Sequence, residues 1–313
     1  MATMKAVRFN AYGGPEVLVL EEAPLPQPGA DEVLVRVLAA GVNPLDWKVR
    51  AGHVREWLPH RLPLIPGWDV SGIVEAMGAN ATGFKKGDEV YGMLDFGRDG
   101  AYAEFVAARP RELAPKPWSI DHLQAGGVPL AALTAWQALF DSGGLIAGQS
   151  VLIHGAAGGV GHYAVQMAKW KGARVIGTAS ASNAAFLREL GADQVIDYRS
   201  TRFEEAVRGV DVVLDTRGGE VQQRSWQVLK KGGILVATLG IASQEAPDAH
   251  GVRGVGILVH PDPEQLAQIA ALIDAGKLRA VISTVLPLAE AARAHQLSEA
   301  GHVRGKIVLM VRE

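Results

Sequence analysis

The segment His154-Gly155-Ala156-Ala157-Gly158-Gly159-Val160-Gly161 carries the clearest chemistry in this chain. It follows the apolar run Val151-Leu152-Ile153 and precedes a helical pattern. A strand that enters a glycine-rich turn and leaves through a helix N-terminus can hold a pyrophosphate. Glycine lets the backbone turn tightly and lets phosphate come close. The N–H groups and dipole of the helix start then meet the negative charge. The turn reads Ala156-x-Gly158-x-x-Gly161, a dinucleotide fingerprint with alanine at the first glycine position. Gly158, Gly159 and Val160 form the expected cradle.

Two neighbouring features narrow the ligand and the reaction. An NAD site usually places a carboxylate at the end of the second strand, on the ribose 2′-hydroxyl. Here that strand ends Gly177-Thr178-Ala179-Ser180, and the sequence offers Ser180, Ser182 and Asn183 instead. A neutral, hydrogen-bonding surface tolerates a 2′-phosphate that a carboxylate would repel, which favours NADP. Alternatively, Ser180 and Asn183 only cap the next helix. Arg199, after Tyr198, is the basic residue that could reach this end. The chain also has no cysteine, which excludes disulfides, thiol nucleophiles and thiolate metal sites. Its nine histidines are scattered, without His-x-His or His-Glu-x-x-His spacing. His154 and His162 flank the fingerprint and read as packing residues.

The elements that position these residues follow from periodicity. Residues 5–9, 17–21, 32–40, 72–77 and 89–91 read as short strands between Gly/Pro turns, a β-rich, barrel-like unit. Residues 121–139 read as helical, with Asp121 as N-cap and a break at Pro129. From Ser150 strands (151–154, 174–178, 194–197, 210–215, 234–239) alternate with helices (159–171, 184–190, 222–229). That alternation argues for a parallel, doubly wound sheet with the glycine turn on its first strand. The tail reads as helix 263–275, strand 281–285, helix 288–300 and strand 306–311. At 313 residues two domains are expected, and 48% hydrophobic content gives a sizeable core. A net charge of −2 gives no footprint for nucleic acid. No run approaches the roughly 20 apolar residues of a membrane span. The N-terminus lacks a signal pattern, so a cytoplasmic location is expected.

Taken in order, several segments resemble the medium-chain dehydrogenase/reductase superfamily, in its zinc-independent quinone oxidoreductase branch. They are Ala40-Gly41-Val42-Asn43-Pro44-Leu45-Asp46-Trp47-Lys48, Ile65-Pro66-Gly67-Trp68-Asp69, Gly83 to Gly87-Asp88-Glu89-Val90-Tyr91, Leu133-Thr134-Ala135-Trp136-Gln137, the glycine turn, and Gly301-His302-Val303-Arg304-Gly305-Lys306-Ile307-Val308. The resemblance spans essentially the whole chain. It implies an α/β protein with a GroES-like catalytic domain at 1–119, a Rossmann NADP-binding domain at 120–260, and a segment at 261–313 returning to the catalytic domain. It also implies a homodimer or homotetramer.

In zinc-dependent relatives a cysteine and a histidine stand where this chain has Asn43 and Trp68, and a glutamate stands at Asp69. Catalytic zinc needs about three protein ligands, so no metal is expected. Without a Lewis acid to hold an alkoxide, alcohol oxidation becomes hard, and hydride transfer to a quinone or an α,β-unsaturated carbonyl is the expected reaction. Reduction of an enoyl thioester, or a non-catalytic NADPH sensor, are the rival readings.

The resemblance assigns residues as follows. Asn43 bonds cofactor or substrate oxygen, or is simply a turn residue before Pro44, which lies beside the cofactor. Lys48 stabilises the acceptor oxygen or relays a proton, or is a solvated surface lysine. Asp46 orients Lys48 or caps the helix. Thr134 meets the nicotinamide end; Ser180, Asn183 and Tyr198 surround the 2′-phosphate, with Asn183 departing from the family lysine. Thr216, Leu239 and Ile257 pass the cofactor at the ends of sheet strands. Trp47, Trp57, Trp68 and Tyr102 either line an apolar acceptor pocket or belong to the core.

Overall fold

The computed structural model describes residues 2–312; Met1 and Glu313, which close the expected domains at either end, lie outside the described residues. The chain begins with β1 (Thr3–Arg8), β2 (Val19–Pro24), β3 (Val33–Val42), α1 (Pro44–Arg50), β4 (Asp69–Met77), β5 (Glu89–Met93), β6 (Phe105–Ala108) and β7 (Leu113–Pro115). Helices α2 (His122–Gly126) and α3 (Pro129–Trp136) follow. The alternating stretch is β8 (Ser150–His154), α4 (Gly161–Trp170), β9 (Arg174–Ala179), α5 (Ala184–Glu189), β10 (Gln194–Asp197), α6 (Phe203–Ala206), β11 (Val210–Asp215), α7 (Gly219–Ser225), β12 (Leu229–Ala237), α8 (Glu245–His250) and β13 (Arg253–Gly256). The tail is α9 (Pro263–Asp274), β14 (Ile282–Pro287), α10 (Ala291–Ala300) and β15 (Lys306–Met310).

Packing divides the chain into two compact units, residues 1–131, 260–276 and 280–313 in the first, and 132–259 with 277–279 in the second. Helix α2 packs on β3 and β4, so residues 120–131 join the first unit rather than the nucleotide-binding one.

In the first unit, among the described residues, a sheet runs in the order β14-β15-β3-β4-β5-β7, with β6 added to β3. β3 is its spine. Val33, Val35, Val37 and Ala39 recur with period two and are fully buried. β15 returns from the far end of the sequence and lies antiparallel on β3, with Ile307 opposite Val42 and Val308 opposite Gly41. This register puts Lys306 beside the end of β3.

In the second unit the order is β10-β9-β8-β11-β12-β13, all parallel. Counted along the chain this is 3-2-1-4-5-6, the doubly wound order that binds dinucleotides at the end of its first strand. Val151, Leu152 and Ile153 have no exposure, as a strand covered on both faces requires. Ala164, Val165, Met167 and Ala168 of α4 are equally buried.

Several boundaries differ from the sequence expectation. The helix expected over 121–139 is two helices and a π-turn (Gln137–Ser142). Asp121 does cap α2, accepting from the Gln124 N–H at 2.7 Å. The helix expected at 222–229 begins earlier, at Gly219, and its end becomes a 3₁₀ turn and the start of β12. Leu229 there pairs with Val210, and a register shift precedes Val212. The strand expected at 17–21 opens with a 3₁₀ turn at Pro15–Val17. Among the described residues no helix is long and apolar enough to cross a membrane.

Candidate functional site

The glycine turn joins β8 to α4 as expected. Inside it the Gly158 N–H donates to Gly155 O at 2.9 Å, and the His162 N–H donates to Gly158 O at 3.1 Å. Gly158, Gly159 and Val160 remain partly exposed, so a ligand can reach them. Alanine at the first fingerprint position has a structural counterpart. A Cβ at Gly177 on β9 would sit 2.8 Å from the Ala156 methyl. The extra methyl in the turn therefore fits because the adjacent strand lacks one.

His154 and His162 have packing and hydrogen-bonding roles. His154 is buried, with Nδ1 3.0 Å from Thr178 Oγ and Nε2 3.0 Å from Ser225 Oγ. Ser225 gives its hydrogen to Val221 O at 2.6 Å, so Nε2 carries the imidazole proton. Burial lowers the His154 pKa to about 4. The buried His162 ring meets Gly158 O at 2.9 Å.

At the end of β9 the structure brings together the polar groups expected there. Asn183 donates to Ser180 Oγ at 3.1 Å, and Ser180 Oγ lies 3.0 Å from Ser182 Oγ. Ser180 precedes a 3₁₀ turn yet makes no side-chain cap to it. Parallel pairing sets Ala179 opposite Asp197, which carries Tyr198 and Arg199 to the same end of the sheet. Tyr198 is exposed, with the Arg199 guanidinium 5.8 Å from its ring centre.

The later strand ends are pinned by buried polar groups. Asp215 accepts from the Arg217 and Gly218 N–H groups at 2.8 and 2.9 Å, and from Gln222 at 3.1 Å. Gln222 also donates to Gly240 O at 2.9 Å, tying the loops after β11 and β12. The Thr216 hydroxyl donates to His154 O at 2.8 Å, which holds it against the first strand. Leu239 is exposed just past β12, and Ile257 is half-buried past β13. Thr134 lies on α3 with only 5% exposure.

The first unit holds a second polar cluster, where the ends of β3, β4 and β15 converge. Asn43 is 2% exposed and donates through Nδ2 to Asp69 Oδ2 at 2.8 Å. Its Oδ1 accepts from the ammonium of Lys306, which also reaches Asp69 Oδ2 at 3.2 Å. The other Asp69 oxygen accepts from the Leu130 N–H at 2.6 Å, at the start of α3. The carboxylate has room because residue 41 is glycine: a Cβ there would lie 2.5 Å from Asp69 Oδ2.

Asp46 and Lys48 do not act as a pair. They lie two residues apart on α1, and such residues face different sides of a helix. Asp46 is buried and accepts from the Asn43 N–H at 2.8 Å and the Tyr102 hydroxyl at 3.0 Å. It is the third helical residue closing back on the N-cap, Asn43, rather than the N-cap itself or an orienting group for Lys48. Its pKa is raised to about 7, chiefly by burial and in part by the charge of Asp69, against the opposing Asn43 N–H, Lys306 and Tyr102 hydroxyl. Lys48 is half-buried over Trp47, 5.8 Å from the ring centre, and burial lowers its pKa. Pro44 is exposed at the start of the same helix.

The expected aromatic residues occupy different environments. Trp68 and Tyr102 are fully buried; the Trp68 indole donates to Arg98 O at 3.2 Å and sits edge-on to Phe96. The Trp68 ring packs on Phe96 and the Tyr102 ring on His295, so both belong to the core. Trp57 is 56% exposed, and Trp47 is half-buried.

Comparison with known proteins finds two family models that match the chain. Residues 29–118 fit the model of the alcohol dehydrogenase GroES-like domain, and residues 190–309 fit that of the zinc-binding dehydrogenase. A quinone oxidoreductase structure from Coxiella burnetii is 39% identical, covers 99% of this chain and 100% of its own, and superposes with a TM-score of 0.93. The 2-methylene-furan-3-one reductase of Solanum lycopersicum is 34% identical over 98% of this chain and 79% of its own. A mycobacterial structure in complex with NADPH is 32% identical over 98% and 100% of the two chains, with a TM-score of 0.89. The chain belongs to the medium-chain dehydrogenase/reductase superfamily, in its quinone oxidoreductase branch.

The zinc implied by one matching description does not fit the residues present. An amide stands at Asn43, and the indole of Trp68 has no in-plane lone pair and is fully buried. Of the carboxylates beside Asn43, Asp69 is already bonded to an ammonium and Asp46 is held by the Asn43 N–H and the Tyr102 hydroxyl. Among the described residues no three His, Cys, Asp or Glu side chains group as metal ligands would. Lys306 is the residue that sequence reasoning missed. The only signal was a lysine at the first position of an apolar strand, Lys306-Ile307-Val308-Leu309.

Proposed function

We propose that the protein is an NADPH-dependent, zinc-independent reductase of quinones and α,β-unsaturated carbonyls. The observation that carries this is the Asn43–Asp69–Lys306 cluster, which fills with an internal cation the place where a metal-dependent member would need a Lewis acid. Without that acid, the easiest acceptor is one that delocalises its own charge. Hydride added at the β-carbon sends the electron pair to the carbonyl oxygen, and one proton then completes the reduced ketone. A quinone takes hydride by the same electronics and becomes a hydroquinone after protonation.

Bound NADPH supplies the hydride. Gly158, Gly159, Val160 and the N-terminus of α4 would hold its pyrophosphate, which the donor set and partial exposure support. Ser180, Asn183, Tyr198 and Arg199 would receive the 2′-phosphate. Their hydrogen-bonding side chains and the Arg199 guanidinium support NADPH over NADH. Thr134, Thr216, Leu239 and Ile257 would flank the nicotinamide half. Asn43 would donate to the acceptor or cofactor oxygen, and Lys48 would stabilise the developing oxyanion and pass on the proton. Partial burial supports that role, because it strengthens the ammonium's field and eases proton release. A homodimer or homotetramer in the cytoplasm completes the proposal, to be checked by light scattering and fractionation.

The test is NADPH consumption with a panel holding a benzoquinone, a simple conjugated ketone and an enoyl thioester, beside NADP⁺ reduction with a primary alcohol. Turnover confined to the quinone and the conjugated ketone is expected. Tight NADPH binding without turnover of any acceptor, or stoichiometric zinc in the purified protein, would refute it.

A further inference from the structure

Resting on Asn43 as a residue of the reductase site, the structure assigns Lys306 as its positioning residue: the buried ammonium fixes which end of the Asn43 amide is presented and strengthens its remaining N–H. The Lys306 side chain is 2% exposed, and its partner Asp69 is wholly buried. Lysine is almost never buried this deeply unless paired. Pairing with Asp69 alone would satisfy the charge. The additional bond, from Lys306 to Asn43 Oδ1, does something the ion pair does not require.

An asparagine amide has two nearly isosteric ends, and its surroundings decide which way round it sits. Here a cation holds the oxygen and an anion takes one hydrogen from the nitrogen. Reversal would set Oδ1 against Asp69 and the amide hydrogens against the ammonium. Both contacts would be repulsive, so a single orientation survives. The ammonium also polarises the amide: charge drawn toward Oδ1 makes the second Nδ2 hydrogen a stronger donor, in a dry setting where such effects are large. The backbone is fixed as well, since the Asn43 N–H is held by Asp46. Sheet register delivers the cation, because Ile307 pairs with Val42 at the end of β3. Lys306 thus acts through Asn43, as a fixed positive charge behind a hydrogen-bond donor.

The discriminating variant is the neutral pair Lys306→Met with Asp69→Asn, measured with NADPH and a benzoquinone. Replacing both members of a buried ion pair is often tolerated where removing one is not, so the pair is expected to fold with a near-native Tm. The new amide at position 69 can donate to Asn43 Oδ1, which would turn the Asn43 amide round. The expected result is a kcat loss of roughly a hundred-fold, the scale of one missing oxyanion donor, with KM for NADPH within about two-fold. Combining the pair with Asn43→Ala should cost no more than Asn43→Ala alone, since both remove the same donor. Wild-type kcat in the neutral pair, losses that multiply with Asn43→Ala, or a pair that does not fold as a unit would overturn the assignment. Wild-type kcat in Asn43→Ala alone is a different failure: it would remove Asn43 from the reductase site.

Discussion

Lys48 combines two properties that a proton-donating oxyanion stabiliser needs, a positive charge and burial that lowers its pKa. Lys48→Met should lower kcat with a conjugated ketone by at least about ten-fold while leaving NADPH binding intact, within the range of general-acid contributions. The sign of the pH effect also follows. Activity should be lost as pH rises through the lowered lysine pKa, so the alkaline limb lies below the ordinary 10.5. Unchanged kinetics in the variant would take Lys48 out of the mechanism. At the other end of the cofactor, Ser180→Asp would put a carboxylate among Asn183, Ser182 and Arg199. It should shift the kcat/KM ratio from NADPH toward NADH by about ten-fold or more, since the new charge repels a 2′-phosphate. Asn43 and Lys48 were visible in the sequence because they stand in one short motif. Lys306 was not, because its partner Asn43 is 263 residues away and only the β3–β15 pairing joins them.

At the scale of elements, the fit between the glycine turn and β9 makes a direct prediction. Gly177→Ala places a methyl 2.8 Å from that of Ala156 and should destabilise by about 1–3 kcal/mol, as overpacking does. Adding Ala156→Gly should recover most of that loss, and denaturant melts of the single and double variants would measure the coupling. Additive effects would show that the two methyls do not compete. The doubly wound order was legible because Val151-Leu152-Ile153, the glycine turn and α4 each keep their own period. β13 was not, since Arg253-Gly254-Val255-Gly256 is short, half glycine and lacks an apolar run. The start of β12 was hidden for a similar reason: Lys230-Lys231-Gly232-Gly233 interrupts its apolar pattern. Of the four aromatic side chains read as pocket or core, burial puts Trp68 and Tyr102 in the core, which composition does not reveal. Trp68 and Tyr102 look the same in sequence whether they face a ligand or the core.

For the whole molecule, buried titratable groups predict that the two units respond differently to acid. In the second unit burial lowers His154 to about 4. An unfolded histidine titrates near 6.5, so between those values the unfolded chain binds one proton more. Its stabilising contribution is full above 6.5 and falls with pH by about 1.4 kcal/mol per unit. In the first unit burial and the charge of Arg50 lower His295 to about 3, with the same sign. Burial raises Asp46 there from 3.8 to about 7, so its contribution is full below 3.8 and is lost as pH rises. Glu112, raised by burial, acts with Asp46, and His122, lowered by burial, acts with His295, so raised and lowered groups oppose each other within this unit. Hydrogen exchange, corrected for intrinsic rates, should show β8 losing about 3 kcal/mol of protection as pH falls from about 6.5 to about 4.5, and β3 much less. Equal losses in both would contradict the balance, and Asp46→Asn should make β3 more acid-sensitive.

The most direct test of the central claim is NADPH oxidation by protein exhaustively dialysed against a chelator, with a quinone and a conjugated ketone as acceptors. Full activity without metal, unchanged by added zinc and strongly favouring NADPH over NADH, is the predicted result. Activity that disappears on chelation and returns with zinc would contradict a reductase in which Lys306 is the cation held at Asn43 and Asp69.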